Sequence, residues 1–185
     1  MKNAAVTTST KKVSQPKTDT AILQSPPVAA RKKYLLELPN DDIPKLTENK
    51  QGEPRKIPNE LVQRENTLLA SVLVPQREVT VLIYDNGIVD NDIVSVFVDS
   101  NKIFNGVQLS EKAITFTLIF SETISQHQIV TVAENLGDIF PNTGLLVIKA
   151  GNKMIEIPIM SDFKKNAKIV INYKANCNIA VDRYN

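Results

Sequence analysis

From about residue 68 onward the chain alternates polar and apolar positions with a period of two. Val79, Val81 and Ile83 alternate with Thr80, Leu82 and Tyr84, and Ile93, Ser95 and Phe97 alternate with Val94, Val96 and Val98. The cleanest run is Ile114, Phe116, Leu118 and Phe120 against Thr115, Thr117 and Ile119. Successive side chains of a strand point to opposite faces, so this period predicts strands. Further runs rich in Val, Ile, Thr and aromatics lie at residues 68–74, 128–133, 144–149, 154–159 and 168–173. No stretch after residue 60 carries a helical stripe longer than two turns. Between the runs fall Asp85-Asn86-Gly87, Asn105-Gly106, Leu136-Gly137-Asp138, Pro141-Asn142-Thr143-Gly144 and Ala150-Gly151-Asn152. Gly and Asn in these places supply the positive φ of tight turns. Short strands, frequent turns and no crossover helices predict an all-β fold: an antiparallel two-sheet β-sandwich of about eight strands. Pro158 cannot donate to a ladder, so its run belongs at an edge or a bulge.

Composition divides the chain. Residues 1–60 hold seven of the ten prolines, one of the ten aromatics (Tyr34), and 11 basic against 7 acidic residues. Their one notable apolar cluster is Tyr34-Leu35-Leu36 with Leu38, too little to offset the entropy of ordering sixty residues. The expected organisation is a flexible, disordered N-terminal tail over 1–60, the sandwich over 61–176 and a short C-terminal tail over 177–185. A net charge of +2 gives no footprint for nucleic acid. One Cys and one His exclude an internal disulfide framework and a Cys/His zinc cluster within one chain. The longest apolar run, residues 68–74, is far short of the ~20 residues of a membrane-spanning helix. No apolar region of the ~7–15 residues that a secretory signal needs follows Met1-Lys2.

One loop carries chemistry. Asp85, Asp90 and Asp92, with Asn86 and Asn91, put five oxygen-bearing side chains into eight residues. Calcium is a hard cation that takes six to eight oxygens from such mixtures of carboxylates, amides and carbonyls. Asp85, Asn86, Asp90 and Asp92 are therefore candidate calcium ligands, with Glu134 as a weaker candidate. The EF-hand spacing is absent, because the Gly follows the first Asp by two residues. The same residues are also what a long hairpin loop uses to bond its own backbone. Glu134 and Asn135 can tie down loop N–H groups, and Asp162 can organise the turn into the last strand. His127, in a polar Ser125-Gln126-His127-Gln128 setting, is expected at an exposed edge. Cys177 follows the last strand and is expected to face solvent.

Three motifs carry a resemblance. They are Arg64-Glu65-Asn66 leading through Glu78-Val79-Thr80-Val81 and Tyr84-Asp85-Asn86-Gly87 to Asp90-Asn91-Asp92-Ile93-Val94-Ser95-Val96; Ala133-Glu134-Asn135-Leu136-Gly137 with Pro141-Asn142-Thr143; and Ser161-Asp162. In this order they resemble an uncharacterised β-sandwich module found in exported proteins and lipoproteins of Bacteroidetes, over about residues 64–174. The family pattern more often reads Asp-Gly-Asp where this chain has Asp90-Asn91-Asp92. The resemblance implies a sandwich exported to the periplasm or cell surface and implies no particular chemistry.

Catalytic motifs for nucleophilic serine, phosphate-binding loops, dinucleotides or zinc peptidases are absent from the sequence. The expected function is a non-catalytic cell-envelope module, binding a protein or glycan or acting structurally, and stabilised by calcium. Two alternatives stand beside it. One is a carboxylate-based hydrolase, whose acid pair could be claimed from Glu134 and Asp162. The other is an assembly protein whose basic N-terminal tail binds the partner.

Overall fold

The computed structural model describes residues 43–46, 57–86 and 88–184. In chain order these form β1 (Lys45–Leu46), α1 (Asn59–Gln63), β2 (Glu65–Val74), β3 (Glu78–Asp85), β4 (Ile93–Val98), β5 (Asn101–Gln108), β6 (Ile114–Ile119), β7 (Gln126–Ala133), β8 (Asn142–Ala150), β9 (Lys153–Ser161), β10 (Lys165–Tyr173) and β11 (Ala180–Arg183). Among the described residues no helix is long and apolar enough to cross a membrane. One sheet has five strands in the order β1-β6-β3-β8-β9, and the other has six in the order β11-β2-β10-β7-β4-β5. The alternation explains their packing. Val79, Val81 and Ile83 of β3, with Phe116 and Leu118 of β6, meet Val94 and Val96 of β4 and Ile169 and Ile171 of β10 in one core. Phe116 reaches across to Phe104 of β5, with ring centroids 6.0 Å apart. Each such side chain contributes roughly 1.5–3 kcal/mol by leaving water, so the inward positions specify the register of both sheets.

All eight expected strands are present, but the sheets are mixed and the described residues form eleven strands. β2 and β10 run parallel from Glu65↔Lys165 to Val74↔Tyr173, and β1 runs parallel to β6. Parallel neighbours need a long crossover. Here the intervening strands, which pass back and forth between the sheets, supply it in place of a helix, so the lack of helical segments did not require antiparallel pairing. The three additional strands are β1, β5 and β11, and each is a sheet edge. β9 is the fourth edge, as Pro158 requires. The C-terminal boundary moves accordingly: Ala180–Arg183, expected in a tail, pairs with Ala70–Leu73 of β2. Within the expected N-terminal tail, Lys45 and Leu46 pair with Thr117 and Leu118. Of the same expected tail, Asn59 and Glu60 begin α1, while residues 1–42 and 47–56 lie outside the described residues.

His127 is corrected as well. It sits on β7, an interior strand, and is 2% exposed. Its Nδ1 lies 2.5 Å from Asp99 Oδ2, its Nε2 lies 3.2 Å from the Ile119 carbonyl, and its ring packs 4.9 Å from Phe120. The polar neighbours in sequence misled because Gln126 and Gln128 point to the opposite face. Burial pushes the imidazole pKa down, but bonding to the Asp99 carboxylate and the Ile119 carbonyl outweighs this, and the net shift is upward. A raised His pKa stabilises the fold fully below the unfolded value of ~6.5, and that contribution is lost as pH rises through the folded value. The unfolding free energy of wild type minus Asp99→Asn is therefore expected to shrink from pH 5.5 to 8.5 in denaturant titrations. Parallel pH profiles would remove the charged pair from the account.

Candidate metal centre

Asp85 closes β3 opposite Gly144 of β8, and its backbone N–H donates to the Ser110 carbonyl at 3.0 Å. The chain then crosses to the other sheet and re-enters a strand at Ile93, placing Asp90 and Asp92 just before β4. Asn91 between them has φ 67°, a left-handed conformation that Gly takes freely and Asn tolerates better than most residues. Its carbonyl accepts from Asn135 Nδ2 at 2.7 Å, and its amide donates to Asp138 Oδ2 at 2.8 Å. The turn that re-aims the two aspartates is thus held by the loop between β7 and β8.

The result is a buried carboxylate triad. Asp85, Asp90 and Asp92 are 9%, 7% and 0% exposed, and each offers a carboxylate oxygen within 4.8 Å of the others. The β7–β8 loop and the start of β8 lie over them and fix their rotamers. Ile139 N–H donates to Asp90 Oδ2 at 2.8 Å, Thr143 N–H donates to Asp92 Oδ2 at 2.8 Å, and Asp138 N–H donates to the Asp90 carbonyl at 2.7 Å. Among the described residues nothing donates to the buried Asp92 Oδ1, or to Asn86 Oδ1, next in sequence to Asp85. Burial pushes the Asp92 carboxyl up to about 6; the Thr143 N–H opposes this, and the charges of Asp90 and Asp85 reinforce it. Ionised carboxylates are acceptors only. Two that face one another out of water need a shared proton or a cation between them.

These donors fit a hard divalent cation. Calcium accepts carboxylate and amide oxygens without demanding strict geometry. Asp85, Asp90 and Asp92 would hold it, with Asn86 as a neutral oxygen beside them, and the ion would supply the positive charge that the triad lacks. The four candidates read from the Asp-rich loop are thus three converging carboxylates and a buried amide oxygen.

The fifth candidate goes elsewhere. Glu134 is exposed, its carboxylate accepts the Ser95 hydroxyl, and it is not among the converging carboxylates. Asn135 ties the loop down, accepting from Ile93 N–H at 2.8 Å as well as holding Asn91. Asp162 accepts from the N–H groups of Lys164 and Lys165 at 2.6 and 2.7 Å, which hold its pKa below the usual carboxylate range. It organises the β9–β10 turn, as expected. Arg64 donates to the carbonyls of Ala133 and Asp162 at 2.8 and 3.3 Å, joining that turn to the end of β7. Cys177 is a half-buried free thiol.

Gly137 is the site residue that sequence patterning did not single out, having been read as a turn former alone. Its φ is +62°, and a Cβ there would lie 2.5 Å from Asp92 Oδ1 and 2.7 Å from Asp90 Oδ2. The close approach of loop to carboxylates therefore needs glycine for space as well as for conformation. On the outer side of the same two loops Ile88, Val89, Ile139 and Phe140 are exposed by 76%, 45%, 55% and 67%. Compared with known protein families, curated proteins and solved structures, the chain has no match.

Proposed function

We propose that this chain is a non-catalytic β-sandwich module of an exported, cell-envelope protein, in which calcium fixes the loop end that meets a protein or glycan partner. The observation that carries the reading is the buried triad with Asp92 Oδ1 unsatisfied. A fold that leaves three carboxylates together out of water is costly unless a cation completes it. Burial also favours a structural ion over a hydrolytic acid pair, because a substrate needs access that Asp92, at 0% exposure, does not give. The four exposed apolar side chains on the loops that meet at the triad give the module a contact surface whose shape the ion would set. Export, the implication of the resemblance, would place the protein where calcium is abundant enough for a weak site.

Thermal unfolding of the full chain in EDTA, in millimolar calcium and in millimolar magnesium tests this. A cation bound by the folded state alone adds about 2.7 kcal/mol at a hundredfold excess over Kd. Calcium is expected to raise the melting temperature by several degrees, magnesium by less, and Asp90→Asn is expected to abolish the increment. An identical response in wild type and Asp90→Asn returns the aspartates to ordinary loop chemistry.

A further inference from the structure

Two loops meet at the carboxylate triad, and both carry apolar side chains outward. Ile88 and Val89 precede Asp90 in the β3–β4 loop, and Ile139 and Phe140 follow Asp138 in the β7–β8 loop. Of the ten large apolar side chains exposed among the described residues, these four are brought together by one residue. Asp90 stitches the loops: its carbonyl accepts from Asp138 N–H at 2.7 Å, and its Oδ2 accepts from Ile139 N–H at 2.8 Å. Asn91 adds a third tie, donating to Asp138 Oδ2 at 2.8 Å. The apolar patch is thus one surface on a braced support, which lowers the ordering cost of binding. An apolar patch rimmed by polar residues marks a contact site.

Charge decides what it contacts. Residues 85–92 and 134–141 contain five acidic residues, Asp85, Asp90, Asp92, Glu134 and Asp138, and no Lys or Arg. A divalent cation in the triad would offset two of these charges and leave the end acidic. The β5–β6 loop, whose Ser110 carbonyl accepts from Asp85 N–H, adds Glu111 and Lys112, one charge of each sign. Arg64 reaches the end of β7 but is held by the carbonyls of Ala133 and Asp162. An anionic bilayer is repelled by such a rim, because its protein contacts are made by Lys and Arg. A glycan presents hydroxyl groups, which the branched aliphatic side chains of Ile88, Val89 and Ile139 cannot bond. An apolar centre within an acidic rim instead complements a protein surface that has an apolar centre and a basic rim.

We propose that the partner of this loop end is a cationic amphipathic segment of a protein, whose apolar side chains cover Ile88, Val89, Ile139 and Phe140 while its Lys or Arg side chains pair with Asp138 and the acids around it. The inference rests on the contact role proposed above for these loops and names the chemistry of the partner. Phe140, aromatic and 67% exposed, is the anchor. Asp138 is exposed and its Oδ2 accepts from a neutral amide, so its charge stays available to a cation.

The test titrates the full chain, in calcium and in EDTA, into a short fluorescent peptide of Leu and Lys patterned as an amphipathic helix, and reads anisotropy. This peptide is expected to bind roughly tenfold or more tighter than a Leu/Glu or a Ser/Lys peptide of the same length. Ile139→Ser combined with Phe140→Ser is expected to weaken binding by about tenfold. Asp138→Lys is expected to weaken it and to flatten its dependence on salt. Melting curves establish that each variant is folded. Equal binding of the three peptides, no binding of the Leu/Lys peptide, or undiminished binding by the double serine variant would overturn the proposal. So would cosedimentation with phosphatidylcholine vesicles that the double serine variant loses, because the patch would then meet a lipid surface. The calcium-dependent rise in melting temperature, read on the same samples, reports on the ion alone. Peptide binding without that rise supports the partner and discards the ion, whereas the rise without peptide binding discards the partner.

Discussion

Gly137→Ala is expected to destabilise the metal-free protein by about 2–4 kcal/mol and to remove the calcium response proposed above, although Gly137 offers no ligand atom. Two costs add. An alanine at φ +62° carries backbone strain of about 1–2 kcal/mol. Its Cβ would also enter the space of Asp92 Oδ1 and Asp90 Oδ2, at 2.5 and 2.7 Å. Exposed carboxylates would swing aside cheaply. These cannot, because Thr143 N–H and Ile139 N–H pin them and they are buried. Relief must come from breaking those bonds or lifting the loop, and either one spreads the triad that would hold the ion. Gly106→Ala is the control: its φ is +58°, but a Cβ there meets nothing within 4 Å. It is expected to cost about 1 kcal/mol of backbone strain and to leave the calcium increment intact. Calcium titrations followed by melting temperature separate the two variants. A full increment in Gly137→Ala would show that the loop approach is not what shapes the site.

The difference between the eight legible strands and the three hidden ones is one of burial. Strands such as β3 and β6 send alternate residues into a core, and that writes a period-two pattern into the sequence. β5 reads Asn-Lys-Ile-Phe-Asn-Gly-Val-Gln and is half exposed along its length, so little selects for alternation. Its punctuation also misled. Asn105-Gly106 reads as a turn, but Gly106 lies inside β5 at an irregularity in its pairing with β4, donating to Ser95 Oγ at 3.0 Å. The turn between β4 and β5 is Asp99-Ser100, where φ is 49° and 69° with no glycine to announce it. Asp99 offsets that conformation with bonds from Gln128 N–H and to His127. The buried histidine and the unannounced turn are thus one feature, and it joins residues 28 apart in sequence.

The candidate metal centre divides along the same line. Its acids lie within eight consecutive residues, so composition alone marked them. The groups that orient those acids come from the β7–β8 loop and the start of β8 some fifty residues later, as backbone N–H donors and an absent side chain. Backbone donors leave no residue-type signature, which is why Ile139 and Thr143 carried no signal. Glu134 was drawn in by its charge and its place at the same end of the sandwich, but its neighbour on β4 is Ser95, which takes up its carboxylate.

A stop codon after Asn178 is expected to make the chain associate more strongly than the full-length protein. It removes β11, four residues long, yet β11 is what covers the free edge of β2. The other sheet edges are blunted from within: β1 is two residues long, β5 is broken at Gly106, and β9 carries Pro158. β2 has no such device. Its Leu68-Leu69-Ala70-Ser71-Val72-Leu73-Val74 is uncharged, free of proline and rich in β-formers, which is the signature of a strand that pairs with copies of itself. Loss of Ile179 and Val181 also uncovers the core they pack against, at a cost of about 2–4 kcal/mol. Light scattering during size-exclusion chromatography should show concentration-dependent association of the truncated chain. Full-length Val181→Ser separates the two effects, because it loses packing but keeps the edge paired. It is expected to melt lower and to associate no more than wild type. If the truncated chain associates no more than wild type, the edge of β2 needs no cover and β11 contributes packing alone.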